Sequence, residues 1–99
     1  MTIDQFNASL HQDYPPSGIG LHLEALWHDA KGDWQTAHDL VDGAPDQISS
    51  RVHAYLHRKE GDIWNADYWY SKAGEKRPNV DIDAEWDMLV ERLCATLLH

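Results

Sequence analysis

The sequence is poor in cysteine and has no long apolar segment. Cys94 is the only cysteine, so no disulfide can form within the chain, and a buried thiol on the last helix is expected. No apolar run approaches the ~20 residues that a membrane-spanning helix requires. The start, Met1 to Asp4, lacks the basic and apolar segments of a signal peptide. These absences predict a soluble, cytoplasmic protein with no membrane contact.

Basic residues are also few. Eight Lys and Arg stand against 17 Asp and Glu, which gives a net charge of −9. Nucleic-acid binding needs a basic surface that neutralises phosphates, so a nucleic-acid partner is not expected. The basic residues are unevenly distributed, because most of them fall within residues 51–77: Arg51, Arg58, Lys59, Lys72, Lys76 and Arg77.

What is present indicates an all-α fold. The 42% hydrophobic and 25% charged residues are typical of a globular domain. Glycine and proline clusters separate segments with helical spacing of apolar residues, and β-branched residues are too sparse for a sheet. Thr2 and Gln5 fit a capping box, and further helix caps are expected at Asp33, Asp46, Asp62 and either Asp81 or Asp83. We expect five to six antiparallel helices, the last covering about residues 83–98.

A repeat of 29 residues organises the middle of the chain. Gly32-Asp33 shifts onto Gly61-Asp62, and His28 shifts onto His57. The apolar positions of two successive helices coincide under the same shift. The sequence therefore predicts two stacked helix-turn-helix units, at about 19–44 and 48–73, with flanking terminal helices in one domain spanning 1–99.

The second unit resembles a tetratricopeptide-type repeat. The matching positions are Gly61, Ala66-x3-Tyr70, Ala73 and Pro78, and in the first unit Gly32, Ala37, Ala44 and Pro45. In the first helix of the second unit, the residues at the positions of the family pattern W-x2-L-G-x2-Y are Ser50, His53, Ala54 and His57, so only the small residue is kept. The stretch 54–62 also resembles small uncharacterised bacterial proteins with this repeat. The resemblance implies a non-enzymatic protein–protein interaction module without a cofactor, whose partner is another protein or a second copy.

The resemblance also implies a concave groove, here called the apolar groove, lined by Ile48, Val52, Tyr55 and Leu56. The side of the same helix that carries His53 and His57 would then pack inward. Leaving such a groove in water costs ~25 cal/mol per Å². We therefore expect either the first and last helices or a partner chain to fill it.

Seven histidines raise the alternative of a metal site between the two units. His53 and His57 have the i, i+4 spacing of a zinc-binding pair, His28 occupies the equivalent place in the first unit, and Glu24 can supply a carboxylate. The repeat offers a simpler interpretation, in which His28 and His57 are buried structural residues bonded to protein groups. That interpretation predicts no bound metal.

A second alternative is a small anionic ligand. Arg51, Arg58 and Lys59 can bind a carboxylate or phosphate, with Tyr55 on the same helix. The competing interpretation, which we favour, is an ion pair between Asp29 and Arg51 or Arg58.

Trp64 and Tyr68 form an aromatic i, i+4 pair on the following helix. They are either a partner-binding surface or, as we favour, the seat of the last helix.

No catalytic group is expected. The five serines stand in no nucleophile motif, and Gly18-x-Gly20 follows no predicted strand and lacks a third glycine. The sequence therefore predicts a protein that is not an enzyme.

Overall fold

The computed structural model describes residues 1–97, which contain six α-helices and no strand. The helices are α1 (Ile3–Ser9), α2 (Gly20–Ala30), α3 (Trp34–Val41), α4 (Gln47–Lys59), α5 (Ile63–Lys72) and α6 (Ile82–Leu97). The prediction of an all-α fold is confirmed. The predicted end of the last helix at residue 98 lies outside the described residues. No helix within 1–97 is long and apolar enough to cross a bilayer.

Side-chain caps begin the helices where the sequence predicted them. Thr2 and Gln5 form both hydrogen bonds of a capping box at α1. The carboxylates at positions 33, 46 and 62 each accept the amide three residues further on, at the start of α3, α4 and α5. For α6, Asp81 accepts the amide of Ala84 at 2.8 Å, so Asp81 rather than Asp83 is the cap. Each cap satisfies an amide that has no partner within its helix.

The turns at Gly32 and Gly61 have the same geometry. Their φ angles are 86° and 90°, the left-handed region that glycine enters without steric cost. The amide of Asp33 donates to the carbonyl of His28 at 2.9 Å, and that of Asp62 to the carbonyl of His57 at 3.0 Å. The predicted correspondence of the two turns is confirmed.

The last helix fills the apolar groove, and the first helix packs on the last one, with Phe6 in the same core. Val52, Tyr55 and Leu56 of α4 are buried in one core with Leu23, Leu26 and Trp27 of α2, Phe6 of α1, and Leu89, Val90, Leu93 and Cys94 of α6. The indole nitrogen of Trp86 donates to the carbonyl of Leu26 at 3.1 Å, which ties α6 to α2. Cys94 is buried as expected, and this burial raises the pKa of its thiol.

Helix α5 packs on one side only. Its backbone packs against α4 alone among the helices within residues 1–97, whereas α6 packs against α2 and α4 and meets α5 through the hydrogen bond from Tyr70 to Glu85. Trp64 and Tyr68 are consequently 82% and 50% exposed. The expectation that they seat the last helix is wrong, because α6 buries its apolar side in the groove instead.

Candidate functional site

A buried carboxylate organises the charges on one side of α4. Glu85 of α6 is completely buried and accepts hydrogen bonds from Arg51 and Arg58, both at 2.7 Å, and from the Tyr70 hydroxyl at 2.5 Å. Arg51 also donates to Glu75 at 3.1 Å. Both guanidinium groups thus bind carboxylates of the protein, and burial together with Glu85 raises the pKa of Tyr70 above its ordinary range.

A second buried carboxylate has its own partners. Asp29 of α2 accepts the Tyr55 hydroxyl at 2.6 Å and the Lys59 amine at 2.8 Å. The predicted ion pair of Asp29 with Arg51 or Arg58 is therefore wrong. Asp29 pairs with Lys59. The two arginines pair with Glu85 of α6, a helix whose position the 29-residue shift did not specify.

Lys59 also borders a shallow cleft. The cleft is lined by Leu10, Asp29, Ala30, Tyr55, Lys59, Asp83, Trp86 and Asp87. Three carboxylates thus line the cleft together with one amine, which is already bonded to Asp29. The charge of this cleft opposes the binding of an anion.

Three histidines converge between α3 and α4, and we call His38, His53 and His57 the histidine cluster. One ring nitrogen from each lies within 4.8 Å of the other two. Nε2 of His38 and Nε2 of His53 are 3.0 Å apart. The His53 and His57 rings stack at 4.7 Å, and the His38 ring meets the His53 ring edge-on at 4.6 Å. His53 and His57 are buried, and His38 is half-buried.

The cluster is electrically neutral at its centre and incompletely hydrogen-bonded. Burial, followed by repulsion from His38 and His57, lowers the pKa of His53 to about 4. In the contact between His38 and His53 one Nε2 donates and the other accepts, so the accepting ring carries its proton on Nδ1. Both Nδ1 atoms are buried without a hydrogen-bond partner among the described residues. An unpaired buried polar group costs about 1–3 kcal/mol.

Surrounding groups hold the rings in place. Trp34 stacks on His38 at 4.9 Å, and Trp69 stacks on His53 at 3.9 Å. Nδ1 of His57 lies 2.5 Å from a carboxylate oxygen of Glu60. A neutral His57 that donates from Nδ1 to Glu60 keeps a lone pair on Nε2.

The structure divides the predicted histidines. His57 is buried and bonded to a protein group, as expected for a structural residue. His28 is only half-buried, with its ring edge-on to Trp27 at 5.1 Å, so the expectation of a buried His28 is wrong. The cluster joins His53 and His57 to His38 instead. Sequence reasoning missed His38 because a shift of 29 places it on Asp67, and a search for repeated histidines passes over it.

The outer face of α5 carries Trp64, Tyr68 and Lys72, all of which are exposed. The Lys72 amine lies 5.6 Å from the Tyr68 ring and 5.2 Å from the Trp69 ring, within the range of cation–π attraction. Arg77 forms an ion pair with Asp67 at 3.3 Å beside this face.

No protein-family model matches the chain, and neither does any curated protein or solved structure.

Proposed function

We propose that the protein is a non-enzymatic interaction module of the tetratricopeptide-like type and that the outer face of α5 binds its partner. The observation that carries the proposal is the 82% exposure of Trp64 on a helix face that no other described helix covers. Tryptophan and tyrosine dominate the energy of protein interfaces because each buries a large area at small entropic cost. The equal turns at Gly32 and Gly61 support the repeat assignment.

The charge around this face favours an acidic partner. Arg51, Arg58 and Lys59 bind carboxylates within the protein. Lys72 and Lys76 are exposed and have no ion pair within residues 1–97. A protein segment that places apolar side chains against Trp64 and carboxylates near the two lysines would match this surface. The free Cys94 thiol supports a cytoplasmic location, where thiols stay reduced.

The test compares two exposed aromatic residues. Tyr14 is 81% exposed and precedes α2, which makes Tyr14→Ala a matched control for Trp64→Ala. A protein captured by the immobilised chain would be identified, purified and titrated by calorimetry against the wild type and both variants. We expect Trp64→Ala to weaken binding at least tenfold and Tyr14→Ala to change it less than twofold. Lys72→Ala should weaken binding less than Trp64→Ala and reduce its salt dependence.

Two outcomes would contradict the proposal. Equal affinities of Trp64→Ala and Tyr14→Ala would remove α5 from the interface. Sedimentation velocity that shows a dimer lost in Trp64→Ala would assign this face to a second copy and refute the acidic partner. Both variants should keep the stability of the wild type within about 0.5 kcal/mol, because the changed side chains are exposed.

A further inference from the structure

We propose that the histidine cluster binds one divalent transition-metal ion, with zinc as its expected occupant. His38, His53 and His57 present three ring nitrogens within 4.8 Å of one another, drawn from two helices that belong to different units. Three imidazoles and an open fourth position are a recurrent ligand set for zinc. This site is separate from the outer face of α5, so the two proposals stand or fall independently.

The spacing of the nitrogens fits a tetrahedral ion. Zinc–imidazole bonds of 2.0–2.1 Å separate two ligand nitrogens by about 3.3–3.4 Å. Nε2 of His38 and Nε2 of His53 are 3.0 Å apart, so a movement of a few tenths of an ångström brings them to this distance. His57 lies one helical turn from His53 on the same face, and one of its ring nitrogens lies within 4.8 Å of the ligand nitrogens of His38 and His53.

Binding a metal through both Nε2 atoms requires His38 and His53 to adopt the tautomer that carries its proton on Nδ1. In the metal-free protein one Nε2 of the His38–His53 pair carries a proton. Metal binding requires both Nε2 lone pairs, and the proton moves to Nδ1 of the same ring. Asp39 Oδ1 lies 3.9 Å from Nδ1 of His38, which is beyond hydrogen-bond distance but places a carboxylate beside that nitrogen. A histidine binds a metal through the lone pair of a neutral imidazole.

Glu60 supplies the outer hydrogen bond that metal-binding histidines commonly have. Its carboxylate accepts from Nδ1 of His57, which orients the ring and leaves Nε2 as the binding atom. The amide nitrogen of Asn65 is 3.5 Å from this Nε2, at the limit of a hydrogen bond, so little has to be displaced. The Glu60 carboxylate also places negative charge beside the site, which favours a cation.

The tryptophans make the site rigid and observable. Trp34 and Trp69 stack on His38 and His53 and restrict the rotation of both rings. Ligands whose rotamers are held by packing lose little entropy when a metal binds. The indoles also lie within 5 Å of ligand rings, so a paramagnetic ion such as Co²⁺ should quench their fluorescence.

The test uses the tag-free, chelator-treated protein. Calorimetric titration with ZnCl₂ should give one ion per chain, and Co²⁺ should produce the visible absorption of a tetrahedral site and quench tryptophan fluorescence. His38→Gln and, separately, His57→Gln should weaken zinc binding at least tenfold. His28→Gln is the matched control, because His28 lies outside the cluster, and should leave the affinity unchanged within twofold.

Folding of each variant is checked by far-UV circular dichroism before titration. If one of the two cluster variants fails to fold, the other gives the result, and the zinc-induced rise in melting temperature of the wild type provides a second readout. Absence of stoichiometric zinc binding to the folded wild type would overturn the proposal. Binding that His38→Gln or His57→Gln leaves intact, or that His28→Gln reduces equally, would also overturn it.

Discussion

Replacing Glu85 with glutamine tests the buried charge network most directly. The change keeps the shape of the side chain and removes its negative charge. Arg51, whose side chain is 4% exposed, and Arg58 would each lose the charge that they now meet at 2.7 Å. The Tyr70 hydroxyl would donate to the amide oxygen of the new glutamine instead of to a carboxylate. The variant thus isolates the value of the charge from that of the packing.

The size of the effect follows from the desolvation of the two arginines. Removing one partner of a buried ion pair costs about 3–5 kcal/mol, since the remaining charge is left uncompensated. Arg51 retains Glu75 at 3.1 Å, which reduces the loss. We therefore expect Glu85→Gln to lower the free energy of unfolding by about 3 kcal/mol, a large share of the roughly 5–15 kcal/mol of a typical domain.

Urea unfolding, followed by circular dichroism and tryptophan fluorescence, measures this difference. Glu91→Gln is the matched control, because Glu91 is an exposed glutamate of the same helix, and should change stability by less than about 0.5 kcal/mol. A loss below about 1 kcal/mol for Glu85→Gln would show that water, rather than Glu85, compensates the arginines in solution.

Three further predictions concern the turns and the buried polar groups. Gly61→Val should lower the free energy of unfolding by more than ~1 kcal/mol in thermal melts, because the φ of 90° strains a β-branched residue, and the added Cβ would meet no atom within 4 Å. Gly61→Asn should cost less, because asparagine tolerates a positive φ better. The losses of stability caused by Asp29→Ala and Arg58→Ala should add within about 0.5 kcal/mol in the double mutant, because the two side chains bind different partners. Strong coupling between the two changes would argue against the network described. Burial and the hydrogen bonds to carboxylates raise the pKa values of Tyr55 and Tyr70, so the unfolded chain loses these protons at a lower pH than the folded protein does. These two groups should therefore leave the stability unchanged below about pH 10 and lower it above that pH. Equal midpoints of urea unfolding at pH 9 and pH 11 would refute this prediction.

The sequence by itself determined the helices and their connections. The caps and the glycine turns depend on atoms within a few residues of one another, so a local pattern suffices to predict them. Asp33 and Gly61 are examples, because a carboxylate three residues before a free amide, or a glycine at a helix end, acts wherever the helix lies. Apolar periodicity likewise placed Val52 and Leu56 on one side of their helix, and the resemblance to a tetratricopeptide-type repeat led to the expectation that this side is covered.

Only the tertiary structure decided which side chains meet. Glu85 follows Asp81 and Asp83 at the start of α6, and nothing in its spacing distinguishes a buried carboxylate from an exposed one. A shift of 29 residues places His38 on Asp67, so the sequence offers no repeated histidine there. His38 meets His53 only because α3 packs on α4. Trp64 lies on a helix face whose exposure depends on where α6 packs. Contacts between distant residues are set by how helices pack, and periodicity along one helix carries no information about the helix that will face it.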